Sequence, residues 1–240
     1  MIATENLTKR YARKEVLRGI SLRAEAGAIT LLVGANGAGK STTMKVLAGL
    51  VRPNGGSATI GGFDIFRERI KAQRQLSYLP QTSSFHPRLT ALAVLRFYAR
   101  LRGVPLSRCE SMLELLGLSE MASVRTGTLS GGTRQRLGIA LLLLPDAAVL
   151  LLDEPGLSLD PHWRKRLQET LQFEAQRGKT VLVTTHLIAE WNGIADRCLL
   201  CREGTIEREL DPSDLPNDFE EPERFAAEVP ELQPREFATR

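Results

Sequence analysis

The chain has 240 residues, 42% apolar and 25% charged, with a net charge of +4, the make-up of an ordinary soluble α/β-sized domain. No apolar run approaches the length of a bilayer span, and Met1–Glu5 has neither a basic start nor an apolar signal core, so no span or export signal is expected. Three cysteines give no disulfide framework, and the eleven acids against four bases from Thr205 onward leave a body rich in Lys and Arg, suited to anionic ligands.

Residues 28–33 form a short apolar run that reads as a buried strand, ending at Gly34. Met44, Val46, Leu47 and Leu50 then suit a helix over 40–50 with one face on a core. Pro53-Asn54-Gly55-Gly56 is turn chemistry, and strands are predicted at 57–60 and 76–79. Thr90 reads as an N-cap for a helix over 91–101, and Ser107 as one for 108–116. Further on, a helix is predicted over 131–144, an apolar strand over 148–152 and a helix over 161–176 with Pro161 in its first turn. A strand at 181–184, a helix at 186–194 and a strand pair at 197–201 and 205–209, turning at Glu203-Gly204, complete the order. Apolar strands alternating with helices imply a mainly parallel sheet covered on both faces. From Asp211 the composition turns to proline and acid, and 211–240 is expected to be a weakly ordered tail.

Three segments carry chemistry. Gly34-Ala35-Asn36-Gly37-Ala38-Gly39-Lys40-Ser41 fits G-x-x-x-x-G-K-[ST] between a strand and a helix. Gly34, Gly37 and Gly39 let backbone N–H groups, including those of Asn36 and Ala38, turn inward on phosphate oxygens. The Lys40 ammonium reaches the β- and γ-phosphates, the Ser41 hydroxyl suits Mg²⁺, and Thr42 is a further phosphate contact. In Ala148–Pro155, two acids emerge at the C-terminal end of a buried strand, where ligand crevices of parallel sheets lie. Asp153 is expected to hold Mg²⁺ and Glu154 to polarise the attacking water. In Leu129–Arg136, Ser130 caps a helix and Gly131 and Gly132 leave its first N–H groups uncovered, a second anion site.

Together, in this order, the three segments resemble the Walker A, Walker B and signature motifs of the ATP-binding-cassette family, over about residues 1–209. The resemblance implies a P-loop NTPase core, an N-terminal antiparallel β subdomain and an inserted α-helical subdomain at about 82–140. It also implies an ATPase domain over 1–210, followed by the tail. Tyr11 matches the aromatic residue stacked on adenine, and Gln81 the glutamine that senses Mg²⁺ and the membrane subunit. Ser158-Leu159-Asp160 matches the D-loop, and His186 the histidine that contacts the γ-phosphate. ATP and Mg²⁺ are the implied substrate and cofactor. The implied partners are a second cassette, paired head to tail, and a separate transmembrane permease; nucleic acid is not expected. That places the chain on the cytoplasmic side of the cell membrane, held peripherally. Asn36 and the run Ser41–Met44 resemble the branch serving drug, polysaccharide and other exporter-type permeases.

Three segments depart from the family pattern. Thr133 stands where Gln, Met or Glu is usual, Gly156-Leu157 replaces Thr-Ser before the D-loop, and Ala93-Val94 replaces a polar Glu-Asn pair. A cassette acting on nucleic acid or ribosomes is the other reading, although such members carry coiled-coil insertions or two fused cassettes. Cys198 and Cys201 suggest a metal pair, but residues three apart on a strand point to opposite faces, so they are expected in the core.

Overall fold

The computed structural model describes residues 1–212; the rest of the proposed tail, 213–240, lies outside the described residues. Two sheets form the frame. A four-stranded antiparallel sheet, in the order β2-β1-β4-β5, combines β1 (Ile2–Tyr11), β2 (Lys14–Ala24), β4 (Gly55–Ile60) and β5 (Phe63–Asp64). A six-stranded sheet has the order β10-β9-β3-β8-β7-β6. Its strands are β3 (Ile29–Val33), β6 (Leu76–Leu79), β7 (Val149–Asp153), β8 (Thr180–Thr184), β9 (Arg197–Arg202) and β10 (Thr205–Leu210). All its pairings are parallel except the β9–β10 hairpin.

Every residue of β3, β7 and β8 is buried, which is why these segments read as mainly apolar runs. Leu31 and Val33 point into one core with Leu150 and Leu152, while Leu32 points into the other with Val149 and Leu151. Helix α1 (Lys40–Leu47) buries Met44, Val46 and Leu47 on the second side. Helices α3 (Ala91–Arg102), α4 (Ser107–Leu115), α5 (Gly131–Leu143) and α6 (Pro161–Gln176) cover the first. Residues buried from α3, α4 and α5, including Leu95, Leu113 and Leu137, share that cluster.

Local chemistry sets the helix starts. The Thr90 hydroxyl accepts from the Ala93 amide at 3.2 Å, and the Ser130 hydroxyl accepts from the Thr133 amide at 3.2 Å. The Asp160 carboxylate accepts from the Trp163 amide at 3.0 Å ahead of Pro161. Such caps contribute about 1 kcal/mol each. Ser107 is instead the first helical residue of α4, behind Leu106, whose side chain cannot cap. The helix expected at 186–194 is only a 3₁₀ turn, Ile188–Trp191, closed by Asn192 in an extended conformation. Helix α2 (Arg69–Gln75) was not expected: only Ala72 of its seven residues is buried, too little for an amphipathic signal. The turn at Glu203-Gly204 is as expected, with both residues at positive φ, the requirement of a tight hairpin.

The cysteine reading holds. Cys198 and Cys201 are buried and free, and they fall in the cores on opposite faces of the sheet. Burial pushes the Cys198 thiol up to about 12 and the Cys201 thiol up to about 11, so both stay protonated. Among the described residues no group of His, Cys, Asp and Glu side chains is arranged to hold a metal by itself. No described helix is long and apolar enough to cross a membrane.

Candidate functional site

The loop from Gly34 to Gly39 joins β3 to α1 and brings the N-terminal end of α1 to the carboxyl edge of the sheet. Gly34, Gly37 and Gly39 have φ of 144°, 83° and 111°, which only glycine adopts without strain. At Gly34 space is equally decisive: a Cβ would lie 2.0 Å from the Cys201 carbonyl oxygen. At Gly39 it would lie 2.9 Å from Leu17 Cδ2, whereas at Gly37 it would meet nothing within 4 Å. The loop is held from behind by the last hairpin. Ala38 O accepts from the Gly204 amide at 2.9 Å and from Cys201 Sγ at 3.1 Å.

These contacts make Gly34→Ala far more damaging than Gly37→Ala. The second should cost only the about 1–2 kcal/mol of a left-handed alanine. The first adds an overpacking cost of about 1–3 kcal/mol. Urea unfolding of the two variants measures the difference; equal losses would refute the packing argument.

The Lys40 ammonium folds back over the loop, donating to Gly34 O at 2.6 Å and Ala35 O at 3.1 Å. Burial lowers its pKa, opposed by the charges of Glu154, Cys201 and Asp153. An anionic ligand in the loop supplies the missing counter-charge and favours the protonated form.

Asp153 ends β7, 1% exposed. Its Oδ1 accepts from Ser41 Oγ at 3.1 Å and from Thr184 Oγ1 at 2.6 Å. Glu154 follows, 7% exposed, with φ at 50°, a left-handed conformation that costs about 1–3 kcal/mol for a residue with a side chain. Its amide donates to both Thr184 O and Thr184 Oγ1, each at 3.0 Å, and these bonds hold the strained turn. The carboxylate of Glu154 points to His186: Oε2 lies 2.9 Å from His186 Nδ1 and accepts from the His186 amide at 3.2 Å. The His186 loop is anchored in turn to α6. Arg164 pairs with Glu190, and Gln168 Nε2 donates to Glu190 O at 2.9 Å.

Thr184 escaped the sequence reading, yet it joins both acids; its only signal was a hydroxyl at the end of an apolar strand, two residues before His186. Tyr78 escaped it too. Its hydroxyl is buried, and burial followed by the Asp153 charge raises its pKa.

The other expected residues stand outside this hydrogen-bonded cluster. Tyr11 ends β1, 43% exposed, with the Lys9 ammonium 5.0 Å from its ring centre. Gln81 is exposed and, among the described residues, makes no hydrogen bond. Thr42 lies in the first turn of α1, half-buried. Ser130, Gly131 and Gly132 sit at the start of α5, and their surroundings belong to the D-loop rather than to the phosphate loop. A Cβ on Gly132 would stand 2.9 Å from Ser158 O, while one on Gly131 would meet open space. Gln135 of α5 donates to Pro155 O at 3.1 Å, tying the helix to the segment after Glu154. The Asp160 carboxylate is engaged as the cap of α6.

One chain therefore holds a phosphate loop with two acids beside it, and a second outward-facing helix N-terminus whose hydrogen bonds do not reach that loop. Comparison with known proteins agrees with this arrangement. Residues 17–156 match the family model described as ABC transporter. The chain is 35% identical over 210 residues to the linearmycin resistance ATP-binding protein LnrL of Bacillus subtilis, covering 86% of this chain and 68% of that protein. It is 36% identical over 203 residues to the Nod factor export ATP-binding protein I of Burkholderia orbicola, covering 83% and 67%. A solved dimeric ATP-binding cassette in a post-hydrolysis state, bound to ADP and phosphate, superposes with a TM-score of 0.79 at 27% identity, covering 88% of this chain and 99% of that one. With the P-loop fold, the phosphate loop and the paired acids in place, the chain belongs to the ABC transporter family, as an ATP-binding and ATP-hydrolysing cassette.

Proposed function

We propose that this cassette pairs head to tail with a second cassette, hydrolyses MgATP at the shared interface and drives export through a separate permease at the cytoplasmic face of the cell membrane. The observation that carries the reading is the separation of two anion sites on one chain. The phosphate loop opens beside Asp153 and Glu154, whereas the N-terminus of α5 opens elsewhere, with Gly131 unobstructed. A second copy closes that gap by presenting its Ser130, Gly131 and Gly132 to the first copy's nucleotide.

In that pair, Tyr11 stacks on adenine, and the amides from Gly34 to Ser41 with Lys40 and Thr42 hold the phosphates. Glu154 takes a proton from the attacking water as it adds to the γ-phosphorus and the bond to ADP breaks in line. His186, tied to Glu154, faces the γ-phosphate, and Asp160 lies at the interface beside it. Mg²⁺ suits the oxygen donors Ser41 Oγ and Asp153 Oδ1, 3.1 Å apart, with Gln81 as a further contact. When bound it supplies neutralising charge to the phosphates.

The permease is assigned to the face of α3 beside Gln81. A hollow of about 310 Å³ lies along α3, lined by Thr90, Leu92, Ala93, Arg96, Phe97 and Arg100. Phe97 and Leu101 are 58% and 67% exposed, more than an isolated surface needs. No acid occurs between Glu68 and Glu110, a stretch with eight Lys and Arg, so an acidic apolar segment fits this face best. Export is favoured by the relatives named for Nod factor export and linearmycin resistance.

Affinity purification of the chain from membranes in mild detergent tests the reading. Recovery of a protein with several membrane spans is expected. Phe97→Glu should lose that partner while MgATP affinity stays within about twofold, since the change lies away from the phosphate loop and surface changes elsewhere stay within about 0.5 kcal/mol. Recovery of ribosomes or nucleic acid in place of a membrane protein would overturn it.

A further inference from the structure

Ser130 has a hydroxyl that can either accept or donate, and only donation serves an anionic phosphate. Three bonds around it decide which. The Thr133 amide donates to Ser130 Oγ at 3.2 Å, occupying one lone pair. Thr133 Oγ1 lies 2.8 Å from Ser130 Oγ. Arg136 Nη2 donates to Thr133 Oγ1 at 3.4 Å. Arg136 itself is fixed: its Nη1 donates to Leu116 O at 3.0 Å and Gly117 O at 3.1 Å, and its guanidinium lies 4.5 Å from the centre of the Trp163 ring.

A guanidinium only donates, so Thr133 Oγ1 is an acceptor toward Arg136. Its own proton then needs an acceptor. Among the described residues, Thr133 Oγ1 has no carbonyl bond; the Leu129 carbonyl one turn earlier accepts from Arg134 Nη2 at 3.1 Å and not from Thr133. Ser130 Oγ is the remaining protein acceptor. Once it accepts from both the amide and the hydroxyl of Thr133, both its lone pairs are filled, and its proton can only point away from α5.

We propose that Thr133, backed by Arg136, is a positioning residue that sets the direction of the Ser130 hydroxyl, so that Ser130 presents a donated hydrogen to the γ-phosphate held by the partner cassette. This rests on the shared-site reading above. The residues usual at this position, Gln, Met or Glu, are longer side chains without a hydroxyl, so the hydroxyl relay belongs to this chain's own departure from the family pattern.

The test uses the assembled cassette pair with its permease and compares Thr133→Val, Thr133→Ser, Ser130→Ala and the Thr133→Val/Ser130→Ala double variant. Valine keeps the shape and the capping amide but removes the hydroxyl. One net hydrogen bond corresponds to about a three- to tenfold loss of kcat/KM. That loss is expected in Thr133→Val, with ATP affinity of the separated cassette and its melting temperature unchanged, and Thr133→Ser should recover the activity. In the Ser130→Ala background, the valine change should add nothing. Full activity in Thr133→Val, failure of serine to rescue, or an equal loss in both backgrounds would overturn the relay alone. Full activity in Ser130→Ala would overturn the shared-site reading and the relay with it.

Discussion

Glu154→Gln should retain ATP and lose turnover by about 10²-fold or more, the range for removing a general base. The substitution keeps shape and keeps an oxygen able to accept from the His186 amide, which now bonds Glu154 Oε2 at 3.2 Å. The backbone turn also survives, because its two bonds to Thr184 come from the Glu154 amide rather than from its side chain. What disappears is the basic oxygen 2.9 Å from His186 Nδ1. Binding and chemistry should therefore separate: ATP titration near the wild-type value, phosphate release almost abolished, and a closed pair accumulating in size-exclusion chromatography. Phosphate release at the wild-type rate would remove Glu154 from the role of base.

Lys40→Ala should act on the other limb, weakening MgATP binding by about 30-fold or more. That figure is the lower end for truncating one partner of a buried charge pair, about 2 kcal/mol. Lys40 is 7% exposed and now spends its protons on Gly34 O and Ala35 O, so the ammonium is already aimed across the mouth of the loop. Alanine leaves those carbonyls to water and leaves the triphosphate without its nearest point charge. A calorimetric titration reads the loss directly, and an unchanged dissociation constant would contradict the assignment.

Glu154 and Lys40 are both legible in the sequence, and the reason is physical. Gly34 and Asp153 sit where an apolar run stops and Lys40 closes the glycine loop, and each must be its own residue type: a glycine against a carbonyl, a cation over a loop, an acid at a strand end. The central strands were legible because burial on both faces leaves them dominated by Leu, Ile and Val. Strands β1 and β2 were not, since register shifts after Thr4, Leu7 and Lys9 break the alternation that a half-buried strand otherwise shows. Thr184 was hidden because its work is done through space, on two acids thirty residues earlier in the chain. The segment after His186 looked helical from its apolar spacing, but Ile188 and Trp191 are buried within a single 3₁₀ turn, and Glu190 is spent on α6.

The clasp of Gly204 and Cys201 on Ala38 has a bearing on how a ribosome makes this protein. The two ends of the Cys201–Ala38 bond are 163 residues apart, and β3, which leads into the loop, lies between β8 and β9, two of the last described strands to be synthesised. At about 5–20 residues per second, roughly 8–30 s pass between the emergence of the two ends. Until residue 180 emerges, the phosphate-binding segment stands on the nascent chain without either strand that flanks it, and until Gly204 emerges it lacks the hairpin that shapes it. Ribosome-bound chains arrested before residue 180 should therefore fail to retain ATP, while chains released with the hairpin complete should hold it.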